Sequence, residues 1–164
     1  MTIEPPKFIP KPGQIDYTGI RWAPVINCLV KFKDKILLVR RNKNMNLYPG
    51  VWNGISGFLD DDKSLEEKVR EELQEELGLH SKDIKSIHLG EIFDQEEPKY
   101  QKTWIVHPVL VDVTSDKIRL DWEAQEYQWV TPEEIDKLET LPGFDRVAKS
   151  LLKNRWLQKE TRSR

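Results

Sequence analysis

Two apolar runs open the patterned part of the chain. APVINCLVKF (23–32) and ILLVRRN (36–42) are rich in β-branched and large aliphatic residues, with the polar KDK between them; this is a hairpin pattern. NKNMNLYPG (42–50) reads as a loop, and VWNGISGFLD (51–60) as a short strand or extended loop punctuated by glycine. In SLEEKVREELQEELGL (64–79), Leu65, Val69, Leu73 and Leu77 recur at helical spacing. Ser64 and Glu67 are spaced as a capping box, and Gly78 supplies a stop. SIHLGEIF (86–93) and TWIVHPVLVDV (103–113) read as strands around a charged loop, 94–102, with Pro108 forcing part of the second strand to an edge or a bulge. Residues 117–121 and 126–130 read as short strands. Thr131 and Pro132 start a helix over 131–138, and 143–156 forms an amphipathic terminal helix. Four prolines among residues 1–20 predict an extended arm with a short strand near Tyr17. The resulting division is an arm (1–20), one domain (21–157) and a frayed tail (158–164). Strands interrupted by helices in this order predict an α+β fold, a mixed sheet covered by helices.

Composition narrows the function classes. A chain of 164 residues suits one domain, and a domain of about this size buries roughly two-thirds of its unfolded surface. The net charge of -2 gives no global basic field, so no nucleic-acid partner is expected. Cys28 is the single cysteine, which excludes an intrachain disulfide and fits a reducing compartment. The opening MTIEPPKFIPKPG lacks the apolar core of a secretory signal, and no apolar run reaches the length of a membrane span. The expected setting is cytoplasmic, without a membrane partner.

The candidate chemistry lies in REELQEELGL (70–79). At about 100° per residue, Glu72, Glu75 and Glu76 share one side of the helix. Glu76 falls inside the apolar arc and Glu72 at its edge. Like charges at i,i+4, as in Glu72–Glu76 and Glu71–Glu75, oppose the helix by a few tenths of a kcal/mol per pair. A carboxylate pressed toward a core costs more unless it is paired or binds a cation. Lys68, one turn before Glu72, offers partial relief. Hard oxygen donors without nitrogen or sulfur suit magnesium or manganese rather than zinc. A solvated, glutamate-rich helix is the alternative reading of this stretch on its own.

The segment Gly57–Leu79 resembles the box of the Nudix hydrolase family: Gly, five residues, Glu, seven residues, then Arg-Glu-apolar-any-Glu-Glu-any-Gly-apolar. Gly57 begins the match, and Glu71-Glu72-Leu73-Gln74-Glu75-Glu76-Leu77-Gly78-Leu79 completes it. Lys63 stands where the box has Glu, and Glu71 where it has Arg. Moving the register one residue earlier, to use Arg70, would put Leu77 at the glycine and Gly57 out of step. The resemblance extends to VWNGISG (51–57) and to EAQEYQWVTPEEIDKL (123–138). It implies an α/β/α sandwich with Glu72, Glu75 and Glu76 as catalytic metal ligands and the Gly57 carbonyl as a further ligand. It also makes Glu123 and Glu126 candidates for a general base or extra ligand. The two reversed charges, Lys63 and Glu71, are expected to pair and brace the loop against the helix.

The implied activity is magnesium-dependent hydrolysis of a phosphoanhydride in a nucleoside diphosphate linked to another moiety, by in-line attack of an activated water, with manganese as the alternative ion. Arg40 and Arg41 are candidate phosphate contacts. An isoprenoid diphosphate isomerase-like enzyme and a catalytically silent nucleotide-binding module are the competing functions on the same fold. The expected partner is a small nucleotide or diphosphate, and a homodimer is an open expectation. Substrate choice is expected to rest on the arm 1–20 and the loop 94–102.

Overall fold

The computed structural model describes residues 8–152. Chain order is β1 (Trp22–Phe32), β2 (Lys35–Arg41), β3 (Trp52–Asn53), β4 (Ile55–Phe58), α1 (Leu65–Leu77), β5 (Ile84–Leu89), β6 (Phe93–Glu97), β7 (Lys102–Val113) and β8 (Ala124–Val130). A terminal helix, α2, spans 144–152. The strands form one mixed sheet with the path β3-β2-β1-β7-β5; β4 pairs with β1, β6 with β7 and β8 with β2. The β1–β7 pairing is parallel, and the other strand pairings are antiparallel.

Alternation along the central strands supplies two cores. From β1, Ala23 and Leu29 face one side while Ile26, Cys28 and Val30 face the other. In β2, Ile36 and Leu38 divide from Leu37 and Val39 in the same way. Strands covered on both faces read as continuous apolar runs. The first core is closed by Phe144, Val147, Ala148, Leu151 and Leu152 of α2 and by Ile135. The second is closed by Val69, Leu73 and Leu77 of α1. The architecture is an α/β/α sandwich, and α1 is held on it by its apolar stripe.

The ends of α1 follow the sequence. The Ser64 hydroxyl accepts a hydrogen bond from the Glu67 N–H at 3.2 Å. Gly78 ends the helix at φ 69°, and its N–H reaches back to Gln74 O and Leu73 O. A left-handed residue at this point favours glycine because it has no Cβ.

Several expectations need correction. Pro108 lies inside continuous β7, not at an edge or bulge. Its carbonyl accepts from Gly90 N–H at 2.8 Å, so its missing N–H faces the break between β5 and β6 and the β1 ladder is intact. The charged stretch 94–102 is largely structured, as β6 and a short 3₁₀ turn at Pro98–Tyr100. Residues 117–121 are not a strand; Ile118 and Leu120 pack on the α1-side core, and Arg119 N–H bonds Leu77 O at 2.9 Å, which draws the segment to the helix end. The helix expected over 131–138 is a 3₁₀ helix, Pro132–Lys137, and the Thr131 hydroxyl bonds the Glu134 carboxylate instead of capping the backbone. No strand forms near Tyr17. The tail 158–164 and the last turn expected for α2 lie outside the described residues, as do residues 1–7 of the arm.

Candidate active site

Sheet and helix meet where β4 ends. Gly57 is registered against Ile26 of β1, and α1 packs over it. A Cβ added to Gly57 would stand 2.8 Å from the Glu72 carboxyl carbon and from Oε1. The glycine therefore creates the seat on which the Glu72 carboxylate rests.

The three helix acids divide between two neighbouring groups. Glu71, Glu72 and Glu75 each bring a carboxylate oxygen within 4.8 Å of the others, and Glu76 does the same with Asp121 and Glu123. The groups act on each other, since the Glu72 charge opposes ionisation of Glu76 and the Glu123 charge opposes that of Glu72. Asp121 was not a candidate from the sequence, because 117–121 reads as a strand. It belongs instead to a turn in which its Oδ1 accepts from the Glu123 N–H at 3.0 Å. That short Asx turn aims both acids at Glu76; an acid two residues before Glu123 was the available signal.

Of the remaining candidates, Glu126 is registered opposite Arg40 in the β2–β8 pair. The two form an ion pair at 3.2 Å, with side chains 43% and 49% exposed, and Arg40 Nε also donates to Gly50 O at 3.0 Å. Both are engaged in joining the strands and the loop. Arg41, next along β2, points the other way and lines a small cavity with Glu76, Asp121 and Glu123. Its Nε donates to Leu47 O at 3.0 Å. Burial pulls the Arg41 pKa down, while Glu123 and Glu76 work against that shift. Among the described residues no carboxylate lies within 4.0 Å of the Arg41 guanidinium.

The entry to α1 carries a compensated charge network. Lys63 Nζ is 2.9 Å from Glu71 Oε2 and 2.9 Å from Asp61 Oδ2. Lys68 is 3% exposed and reaches Asp60 at 3.0 Å, Asp61 at 3.1 Å and Glu71 at 3.6 Å. Burial works to raise Asp61, yet hydrogen bonds from Lys63 and Lys68 outweigh it and hold the carboxyl at about 2. Asp61 and Asp60 thus join a network that the sequence reading confined to Lys63 and Glu71.

One turn further on, compensation weakens, since among the described residues no cation lies within 4.0 Å of the Glu72, Glu75 or Glu76 carboxylates. Burial pushes Glu72 up to about 8; Lys68 opposes the shift, and Glu75 and Glu123 add to it. Glu76 is raised well above the carboxylate range by burial and by its hydrogen bond with Glu123. Asp121 is pushed up to about 6, first by burial, against the hydrogen bond from Glu123 N–H. Glu76 Oε2 is buried with no hydrogen-bond partner among the described residues.

A model of the NUDIX domain matches residues 21–152. The chain belongs to the NUDIX domain family. Nucleoside triphosphatase NudI of Salmonella paratyphi B is 25% identical over 122 residues, covering 71% of this chain and 86% of that protein. The m7GpppN-mRNA hydrolase NUDT17 of Xenopus laevis is 39% identical over 56 residues, 34% of this chain but 19% of its own length. Among solved structures, the MutT protein of Methanosarcina mazei Go1 superimposes with a TM-score of 0.63 at 28% identity, covering 82% of this chain and 95% of that one. By class, this Nudix chain is a pyrophosphohydrolase.

The residues present fit the divalent ion that the Nudix family uses. The donors are all carboxylate oxygens, the preference of hard cations. Glu76 Oε2 lacks a partner, and no Lys, Arg or His among the described residues lies within 4.0 Å of the Glu72, Glu75 or Glu76 carboxylates. An uncompensated buried carboxylate is costly, and a cation removes that cost.

Proposed function

We propose that this Nudix protein hydrolyses a phosphoanhydride in a nucleoside diphosphate joined to a second group, with magnesium as its ion. The single observation behind the reading is the concentration of uncompensated carboxylates around Glu72 and Glu76, beside Lys68 and Lys63 that are already engaged elsewhere. Glu72, Glu75 and Glu76 hold the ion, with Gly57 at the bend and with Asp121 as a further oxygen donor. When bound, a divalent cation neutralises phosphate oxygens and acidifies water.

The protein's own groups do the rest. The rigid α1 fixes the carboxylates in advance, so little reorganisation is needed as charge develops. Glu123, on a turn rather than on the helix, is the general base: it can take a proton from water beside the phosphorus while Glu76 and Asp121 hold its position. Arg41, on the same side as Glu76, Asp121 and Glu123, offers guanidinium donors to a substrate phosphate, and the geometry of that group suits bidentate contact. Arg40 and Glu126 lie outside this chemistry, and Lys63 with Glu71 braces the loop against the helix.

An isomerase-like function is less well supported. Cys28 is fully buried, and its thiol is pushed up first by burial and then by Glu76 and Glu72, which disfavours proton transfer to an exposed substrate. A silent binding module would have no use for an uncompensated carboxylate cluster. The proposed setting is cytoplasmic, with a small-molecule partner; among the described residues no helix is long and apolar enough to cross a membrane.

The test is a turnover screen over nucleoside triphosphates, dinucleoside polyphosphates, nucleotide sugars and isoprenoid diphosphates, with magnesium or with EDTA. Magnesium-dependent release of phosphate, pyrophosphate or a nucleoside monophosphate is expected, with a loss of about 10²-fold or more in Glu76→Gln. Tight nucleotide binding without turnover would replace the proposal with the binding module.

A further inference from the structure

The family domain begins at residue 21, yet the preceding segment is joined to the loop that leads into α1. All residues from 8 to 20 are exposed except Gln14 and Tyr17, and these two side chains both contact residues 58–60. Gln14 Nε2 donates to Asp60 Oδ2 at 2.8 Å. Tyr17 donates to Leu59 O at 3.4 Å and stacks on Phe58, with ring centroids 5.7 Å apart and planes at 8°. Between them, Ile15 N–H bonds Asp60 O at 2.6 Å. The segment is itself held down: Lys102 Nζ donates to the carbonyls of Tyr17 and Ile20.

The Gln14 amide has a defined orientation. Its Oε1 accepts from the Lys11 N–H at 3.0 Å, which leaves the NH₂ group for Asp60. Asp60 is 6% exposed. Its second oxygen, Oδ1, takes the hydrogen bond from Lys68 Nζ at 3.0 Å. Lys68 sits one helical turn before Glu72, and its charge favours the ionised form of Glu72. Phe58, Leu59 and Asp60 directly follow Gly57, whose missing Cβ makes the seat for the Glu72 carboxylate.

We infer that Gln14, acting through Asp60 and Lys68, is a positioning residue for the Glu72 carboxylate, and that residues 14–17, which precede the span matched by the family model, form a brace for the ion-binding helix. Without the Gln14 donor, a buried Asp60 oxygen loses its partner. Asp60 then turns toward Lys68 or toward water, and the loop after Gly57 shifts under Glu72. Outer partners of this kind orient the groups that grip an ion.

The inference rests on the proposed role of Glu72, Glu75 and Glu76, and the test separates the two. Manganese binding is followed by the electron paramagnetic resonance signal of the free ion, in the full-length protein. Wild type binds, and Glu76→Gln binds at least about 10-fold more weakly, if the carboxylate reading holds; a wild type that takes up no manganese removes that reading. Gln14→Leu, which keeps volume and deletes the donor, is expected to weaken binding about 3- to 10-fold. Gln14→Lys, which keeps a donor for the Asp60 oxygen and leaves Asp60 charged against Lys68, is expected to return affinity to within about threefold of wild type. If wild type binds and Gln14→Leu binds equally well, the brace is overturned. It is also overturned if affinity falls in Gln14→Leu and Gln14→Lys recovers none of it, since that marks a loss of packing only.

Discussion

Replacing Glu72 by glutamine should make the ion-free protein more stable above about pH 5, and most at alkaline pH. Burial pushes the Glu72 carboxyl from 4.5 up to about 8. Between those values the folded state holds a proton that the unfolded chain has released, so stability falls as pH rises through this window. At 1.36 kcal/mol per unit, the gap corresponds to at most about 4–5 kcal/mol once both states are ionised, and water reaching the site reduces this to roughly 2–4 kcal/mol. Glutamine keeps the shape and removes the charge. In EDTA at pH 8, Glu72→Gln should raise the midpoint of thermal unfolding by roughly 5–15 °C, using about 2–4 °C per kcal/mol for a domain of this size. At pH 4, below both values, the two proteins should agree within about 2 °C, because the carboxyl is then largely neutral in the folded and the unfolded states. Added magnesium should stabilise wild type at pH 8, by about 2.7 kcal/mol at a hundredfold excess over Kd, and the variant much less. The assay is calorimetry or fluorescence-monitored melting across pH with and without the ion. A variant that is no more stable than wild type at pH 8, or equally shifted at pH 4, would refute the claim that burial leaves the Glu72 charge undercompensated.

Other substitutions probe separate parts of the site. Gly57→Ala places a methyl group 2.8 Å from the Glu72 carboxyl; because the obstacle is the end of a side chain, the fold should persist while magnesium-dependent turnover falls by about 10-fold or more, read by melting and kinetics side by side. Lys68→Met should cost about 3–5 kcal/mol in denaturant unfolding, since Asp60 is left charged and buried. Glu126→Ala should leave turnover within about twofold and change stability by less than about 1 kcal/mol, whereas Glu123→Ala should reduce kcat by about 10²-fold or more. Arg41→Lys, which keeps the charge and loses the planar fork, should raise KM about 10-fold with a smaller change in kcat.

The sequence showed most of the frame because its periodicities are local. The β1–β2 hairpin, the stripe Leu65–Val69–Leu73–Leu77 and the stop at Gly78 each follow from neighbouring residues. The grouping of helix acids on one side also follows from helical spacing. What was hidden depends on residues distant in the chain. Nothing local distinguishes Glu126 from Glu123; the β2–β8 register does, by giving Glu126 to Arg40. Asp121 was concealed by an apolar pattern that packs as a loop rather than pairing as a strand. The strand β6 was hidden because its segment FDQEE is mostly polar, with Phe93 buried and Asp94 and Glu96 exposed. Pro108 misled for a related reason: the break that spares its missing N–H is in the partner strands, sixteen or more residues upstream at Gly90–Ile92.

The central claim is that carboxylates from one turn of α1 converge on a divalent cation beside Gly57. Anomalous scattering from a crystal grown with manganese tests it most directly. The account predicts a peak within about 2.0–2.3 Å of oxygens from Glu72 and Glu76, lost from crystals of Glu76→Gln. A wild-type crystal with manganese bound elsewhere on the surface, and only water between these carboxylates, would contradict it.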